Sequence, residues 1–502
     1  MKEENRLPVT EFSILDLHEP GSGKKEIPSY FQDLNLNTML DRLTGKFGRQ
    51  VQQYFMYLPE TAEDEAYRRA VYGDVKKTAV YDALTAFTGR LARIEALQQE
   101  KEKVHNPRQR SVWQLREIET WCDAYTELGV ALEQTDLASE GMRRFWEILR
   151  GILAGSAFRQ MQTQVRGIME AIRSLRLVIT YEKDRIRVEV GAAQAEYEPL
   201  PAADRAPLRN PFSADPVVSE LENGCLNILK KKKPALFPEL MNIAERYEHY
   251  QSPVFARFEK EILFYLSYAG FQREMEAQGF VFAVPSVSES CPTEAKKLYD
   301  LALACVSLKE GKKVVANDFT YRDGESFFVL TGPNQGGKTT FARSLGQLVY
   351  FTRIGLDVPA AEANVPFFRD IQSHFSVEES VETGRGKLKE ELVRLAPMME
   401  AKQQGTFVVI NELFTTAASH DALVMGQKVL NHFISLGCIG IYVTHLKELA
   451  AAHERVASLQ AMLDENRIQT FEIRRGEAPD TPCAENLVNK YRLTYEQLKE
   501  RL

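Results

Sequence analysis

The chain has few cysteines, no long apolar run and no excess of positive charge, and each shortage closes a class of function. Six cysteines in 502 residues are too sparse for a disulfide scaffold. No two lie within four positions of each other, so a C-x-x-C zinc knuckle is excluded. Cys438, inside Cys438-Ile439-Gly440-Ile441, reads as a small core residue, and the overall usage suits a reducing compartment. The apolar stretch at 262–271 is too short to cross a bilayer. Met1-Lys2-Glu3-Glu4-Asn5-Arg6 leads into no apolar signal segment. A cytoplasmic protein without membrane association is expected. Lys and Arg number 63 against 70 Asp and Glu, a net charge of −7. That excludes coating of nucleic acid by bulk charge, so any such contact needs a local patch. The 44% of hydrophobic residues excludes whole-chain disorder. The length allows about three to five domains.

Residues 1–30 read as an N-terminal extension, polar around Gly21-Ser22-Gly23-Lys24-Lys25, with a short strand or extension at Phe12–Leu17. From about Pro28 to Leu177 the chain reads as helices. The clearest covers about 155–177, where Phe158, Met161, Val165, Ile168, Ile172 and Leu175 recur at three and four on one face. The runs 177–181 and 186–190 flank a charged turn and predict a β-hairpin. Five prolines between 198 and 216 mark a linker. Helical character resumes at about Pro238–Gln278, and Val284–Thr293 is a boundary. Beyond 295 short apolar strands (Phe327–Leu330, Phe407–Ile410, Ile439–Val443) alternate with helices, which predicts a mostly parallel sheet covered by helices.

The sharpest chemical signal is Gly332-Pro333-Asn334-Gln335-Gly336-Gly337-Lys338-Thr339, a full GxxxxGK[ST] phosphate loop between a predicted strand, Ser326–Thr331, and a predicted helix, Thr340–Tyr350. Its glycines let backbone N–H groups converge on phosphate oxygens, and the helix N-terminus adds partial positive charge. Lys338 can reach the β- and γ-phosphates, and the Thr339 hydroxyl can ligate Mg²⁺. A second apolar strand ends at Asn411-Glu412, where a P-loop ATPase carries its Walker B pair. Asn411 stands in the metal-holding position and brings no charge. Glu412 stands where a residue would orient or deprotonate the attacking water. A third strand ends at Thr444-His445, and His445 there is either a γ-phosphate sensor or an ordinary exposed histidine.

Taken together, these segments resemble the MutS family of mismatch-repair ATPases. Thr331–Thr340 resembles the family's TGPNMGGKST, and Phe341-Ala342-Arg343 with Ile354–Ala360 resembles its YMR and IGxxVPA. Val315-Ala316-Asn317-Asp318 resembles the FVPND segment near the adenine. Glu382–Gly386 resembles the signature-loop ASGRS, and Val443–Leu449 resembles ATHYxEL. Residues 484–502 resemble the helix-turn-helix that helps hold the MutS dimer. Less specifically, Pro28–Leu34 and Tyr67–Val71 resemble the start of the core and lever region. The resemblance implies an α+β multidomain fold: a helical core/lever domain at 31–290, with a reduced clamp and linker at 178–236; an ABC-type P-loop ATPase domain at 295–475; and a dimerisation segment at 476–502. It also implies ATP and Mg²⁺ as cofactors and a homodimer in which Gly384 and Arg385 reach the partner's nucleotide. The implied nucleotide contacts are Asn317 and Gly332 through Thr340. Catalytic roles fall to Lys338, Glu412 and His445, metal-binding roles to Thr339 and Asn411, and the D-loop acid is Asp421. The length fits lever plus ATPase, so neither a mismatch-wedge reader nor a nuclease-like extension is expected. Phe145-Trp146-Glu147 and Phe237-Pro238-Glu239 carry the wedge spacing but read as core aromatics beside surface acids. Asn411, the sequence 414–421 in place of a glycine-rich loop, and Gly386 in place of a serine depart from the family pattern.

For double-stranded or branched DNA the candidates are Arg159, Arg166 and Arg173, which repeat every seven residues on one helix, with Lys183, Arg185 and Arg187 on the hairpin and Lys230, Lys231, Lys232 and Lys233. The same residues also read as a solvated helix face and a lysine-rich turn. Two functions are therefore expected as rivals. One is a dimeric ATP-dependent ATPase acting on DNA structure. The other is a nucleotide-gated interaction switch with little hydrolysis and no DNA.

Overall fold

The structure, a computed structural model, describes residues 12–17, 27–182, 185–191, 229–288, 292–311, 313–376, 387–400, 404–476 and 499. The chain divides into two compact units, each discontinuous in sequence. One comprises 1–14 with 73–262, and the other 15–72 with 263–502. Residues 31–72, expected within a helical domain, thus fall in the unit that carries the phosphate loop.

The first unit is helical. Its long helices are Thr78–Glu102, Pro107–Glu133, Glu140–Ala154 and Ser156–Arg173. Local chemistry sets several of their starts. The Asn106 side chain accepts from the Arg108 N–H with Pro107 at the first turn, and Ser139 accepts from the Met142 N–H. The Asp74 carboxylate takes the N–H groups of Ala138 and Ser139, at 3.0 and 2.7 Å. Burial would raise this acid, but Lys77 and these donors hold it below its ordinary value. The core is aromatic: Phe145 stacks on Phe258 with centroids 3.4 Å apart, Tyr125 on Phe255 at 4.2 Å, and Trp121 is fully buried. In helix Ser156–Arg173 the predicted face is the buried one, through Phe158, Met161, Val165 and Ile168.

Strands β1 (Arg176–Glu182) and β2 (Arg185–Gly191) pair antiparallel, with Leu177 opposite Val190. The helical character expected at 238–278 is present as two helices, Leu236–Arg246 and Pro253–Ala277; Pro253 opens the second, where its missing N–H costs no helical hydrogen bond. Of the two alternatives expected at 12–17, an extension or a short strand, the strand is not formed. Phe12 and Ile14 are instead buried in the first unit, where Ser13 Oγ and the Ile14 N–H donate to Glu261 Oε2 at 3.0 and 2.9 Å. Phe145 and Phe237 are buried while Glu147 and Glu239 are exposed, as core aromatics beside surface acids.

The second unit holds two sheets. The smaller runs β3-β7-β4-β5 (Ser286–Val287, Glu362–Val365, Glu294–Leu298, Asn317–Thr320). The larger has six strands in the order β12-β11-β6-β10-β9-β8. They are β6 Phe327–Thr331, β8 Asp370–Phe375, β9 Thr406–Asn411, β10 Ile439–Val443, β11 Val456–Leu463 and β12 Gln469–Arg475. All its pairings are parallel except β11 with β12. Every residue of β6 and β9 is buried, as a central parallel strand requires. Helix Lys338–Arg353 is buried on almost every side. Its Gln347 donates to Leu34 O and Asp300 Oδ1, at 3.0 and 2.9 Å, and accepts from the Leu301 N–H at 2.8 Å. That satisfies a fully buried amide that would otherwise cost about 1–3 kcal/mol. Strands β6 and β9 both flank β10, so the sheet order brings their C-terminal ends together, the usual place for a ligand in a parallel α/β sheet.

Candidate nucleotide site

Strand β6 delivers the chain into the loop 332–337, and the helix begins at Lys338. The loop is crowded at two of its glycines. Gly332 has φ 133°, and a Cβ there would lie 3.0 Å from the Ala461 backbone nitrogen. A Cβ on Gly336 would lie 3.0 Å from the Pro333 carbonyl. Register explains the crowding: Gln460 of β11 sits opposite Thr331 of β6, so Ala461 comes beside the loop's first glycine. The concave backbone and the N-terminus of a sixteen-residue helix make an anion cradle. Lys338 is 4% exposed and donates to the carbonyls of Gly332 and Pro333, both at 2.9 Å, within the loop itself. Asn334 and Gln335 are exposed, and Thr340 lies in the first helical turn.

The second element is the end of β9. Thr339 Oγ1 donates to Asn411 Oδ1 at 3.0 Å, so the two predicted metal-site residues meet. Beyond Asn411 the chain turns sharply. Glu412 and Phe414 both have left-handed backbones, φ 54° and 64°, a conformation costing non-glycine residues on the order of 1–3 kcal/mol each. The Glu412 N–H donates to Val443 O of β10 at 2.9 Å. Its Oε1 lies 3.1 Å from Nε2 of His445, which follows the end of β10. This contact becomes an ion pair when the imidazole is protonated. Lys338, Thr339, Asn411, Glu412 and His445 therefore stand along one edge of the sheet. The donor set of hydroxyl and amide oxygens fits Mg²⁺ only together with phosphate oxygens, because no carboxylate of its own supplies charge. Among the described residues no group of three or more His, Cys, Asp or Glu forms a self-sufficient metal cluster.

Both ends of the Asn317 amide are engaged. Its Nδ2 donates to Phe471 O at 3.2 Å and its Oδ1 accepts from the Ile473 N–H at 2.7 Å. It stitches β5 to β12 and borders a cavity of about 690 Å³ with Phe341 and Leu459 among its walls. Phe471 went unnoticed in the sequence. It too has a positive φ, 61°, is 47% exposed, and packs beside Gly337. An aromatic within a β-strand is ordinary, so no sequence signal marks it. Asp421 is exposed in the first turn of helix Ser419–Ser435. Gly384 and Arg385 lie outside the described residues, as does most of 476–502.

Of the DNA candidates, Arg159 is exposed and Lys230–Lys233 are all exposed. Arg166 pairs with Asp123 at 2.6 Å, and Arg173 pairs with Glu119. Such surface pairs are worth about 0–1 kcal/mol, so a phosphate could displace the acids at small cost. Lys183 lies outside the described residues, as do the side chains of Arg185 and Arg187.

Residues 328–475 match the family described as MutS domain V. That segment, which holds the phosphate loop and the ends of β9 and β10, is similar to the MutS family. The chain is 23% identical over 242 residues to the DNA mismatch repair protein MSH2 of Saccharomyces cerevisiae, covering 47% of this chain and 25% of that protein. It is 25% identical over 158 residues to the DNA mismatch repair protein msh-2 of Neurospora crassa, covering 31% of this chain and 17% of the relative. The DNA mismatch repair protein MutS of Halalkalibacterium halodurans is 24% identical over 147 residues, 29% of this chain and 17% of its own. The matched segments thus span a quarter or less of these MutS-family relatives. No helix among the described residues is long and apolar enough to cross a membrane.

Proposed function

We propose that the chain is a MutS-type ATPase, working as a homodimer on the structure of double-stranded or branched DNA and not through a mismatch wedge. The observation that carries the reading is the convergence of a glycine phosphate cradle, the Thr339–Asn411 pair and the Glu412–His445 pair at one sheet edge. The cradle N–H groups and Lys338 would hold the β- and γ-phosphates, with Lys338 exchanging loop carbonyls for phosphate oxygens. Phe471, exposed beside Gly337, would offer an aromatic face to the base. Glu412 would orient the attacking water and take its proton, and His445 would hold the Glu412 carboxylate in place. Bound Mg²⁺, held by Thr339 and through Asn411, would neutralise phosphate charge. Gly384 and Arg385 would reach the nucleotide of the other protomer. Arg159, Arg166, Arg173 and Lys230–Lys233 would contact the DNA backbone.

The test is steady-state ATP hydrolysis with and without duplex and branched DNA, beside Glu412→Ala. A DNA-stimulated rate lost in the variant supports the reading. ATP binding without Glu412-dependent turnover, indifferent to DNA, supports the second reading, a nucleotide-gated interaction switch. That alternative is favoured by one observation: the Thr339 hydroxyl faces a neutral amide, not a carboxylate.

A further inference from the structure

Two non-glycine residues in left-handed backbone, Glu412 and Phe414, stand two positions apart immediately after β9. Such a turn persists only where its surroundings over-determine it. Three contacts do so. The Glu412 N–H is taken by Val443 O at 2.9 Å, and the Ala417 N–H closes the turn on Phe414 O at 3.1 Å. The third comes from a helix. The Phe414 N–H donates to Glu391 Oε2 at 3.1 Å. Glu391 is 2% exposed and lies on helix Lys387–Glu400, 23 residues upstream.

That helix is itself fixed. Its Arg394 donates to Phe375 O at the end of β8 at 2.9 Å and lies 3.4 Å from Asp33. Leu395 and Met398 enter the core beside Val408 and Ile410 of β9. The carbonyl of Glu391 faces His374 Nε2 of β8 at 3.3 Å. A buried carboxylate on an anchored helix thus reaches across to the backbone of the catalytic turn.

We propose that Glu391 is a positioning residue: by accepting the Phe414 N–H it holds the left-handed turn, and so fixes where the Glu412 carboxylate stands. The proposal rests on the reading of Glu412 given above. It also makes Glu391 a mechanical link between β8, helix Lys387–Glu400 and the hydrolytic end of β9. Glu391 acts as a hydrogen-bond acceptor, so its charge is not what the turn requires.

The test compares Glu391→Gln, which keeps an acceptor, with Glu391→Met, which keeps length but has none, in the full chain. ATP affinity, kcat and amide hydrogen exchange across 412–416 are measured. In Glu391→Met, kcat should fall about 10–100-fold, as a misplaced catalytic group costs. ATP affinity should stay within about twofold, and the 412–416 amides should exchange at least about tenfold faster than wild type. Glu391→Gln should restore rate and protection. A folded Glu391→Met with wild-type kcat and exchange overturns the proposal, as does a Glu391→Gln that is no better than Glu391→Met. If Glu391→Met does not fold, Glu391→Gln decides alone, and loss of exchange protection there is the overturning result. A wild-type chain without turnover would refute hydrolysis, yet the exchange arm would still report on the brace.

Discussion

The phosphate loop and the end of β9 face one another across the Thr339–Asn411 bond, but they are held by different means. The loop is a backbone device. Its shape follows from two glycines whose Cβ atoms would have nowhere to go, and its donors are main-chain N–H groups. The β9 end is held by contacts from other elements. Glu412 has an unfavourable backbone; its N–H is taken by Val443 O, its carboxylate meets His445, and the Phe414 N–H is taken by Glu391. Glycines inside the loop, with Ala461 of β11 beside them, specify the first; groups of β10 and of helix Lys387–Glu400 specify the second.

The largest expected effect is at Glu412. Glu412→Gln should lower kcat by about 10²–10⁴-fold with nucleotide affinity preserved, because the cradle is untouched; equal loss of binding would merge the two devices. Next comes the cradle. Gly332→Ala should weaken nucleotide binding by about 10–100-fold, the equivalent of about 1–3 kcal/mol of strain, measured by equilibrium titration. An unchanged affinity would mean that the loop is not a backbone device. Asn411→Asp should lower the Mg²⁺ concentration needed for half-maximal nucleotide binding by about tenfold, since a charge-assisted contact gains about 1.5 kcal/mol over a neutral one.

The last effect lies away from the site and is read in stability, not in binding or rate. Glu65 pairs with Arg69 at 2.5 Å beneath Arg353, at the far end of the phosphate-loop helix. Burial, opposed by Arg69 and Arg353, pushes its carboxyl from 4.5 up to about 7. A raised carboxyl binds its proton more tightly when folded, so its contribution is present at low pH and is lost as pH rises from 4.5 through about 7. Glu65→Gln should flatten the pH dependence of unfolding stability in that window by up to about 1.4 kcal/mol per pH unit. An unaltered slope from pH-resolved denaturant titrations would refute this assignment.

The secondary structure around the phosphate-loop motif was legible. The GxxxxGK[ST] pattern predicted strand, loop and helix, and these form at 327–331, 332–337 and 338–353. The hairpin and the apolar face of Ser156–Arg173 were legible because their periods are local. Three readings gain detail. The helical segment expected at 238–278 consists of two helices, Leu236–Arg246 and Pro253–Ala277. Of the extension or short strand expected at 12–17, the residues form irregular chain with Phe12–Leu15 buried. Asn317, which the family resemblance places near the adenine, uses both ends of its amide to bind β12.

What the sequence by itself determined is the strand, glycine loop and helix of the phosphate-loop motif and the apolar strand that ends at Asn411, because glycine spacing and apolar runs are local signals. What only the tertiary structure decided is Glu391 under Phe414, Phe471 beside Gly337, and the acids that occupy Arg166 and Arg173. Each of these joins segments between 23 and 134 residues apart. No periodicity encodes such a pairing; it appears only when the sheet order and the helix packing bring the two segments together.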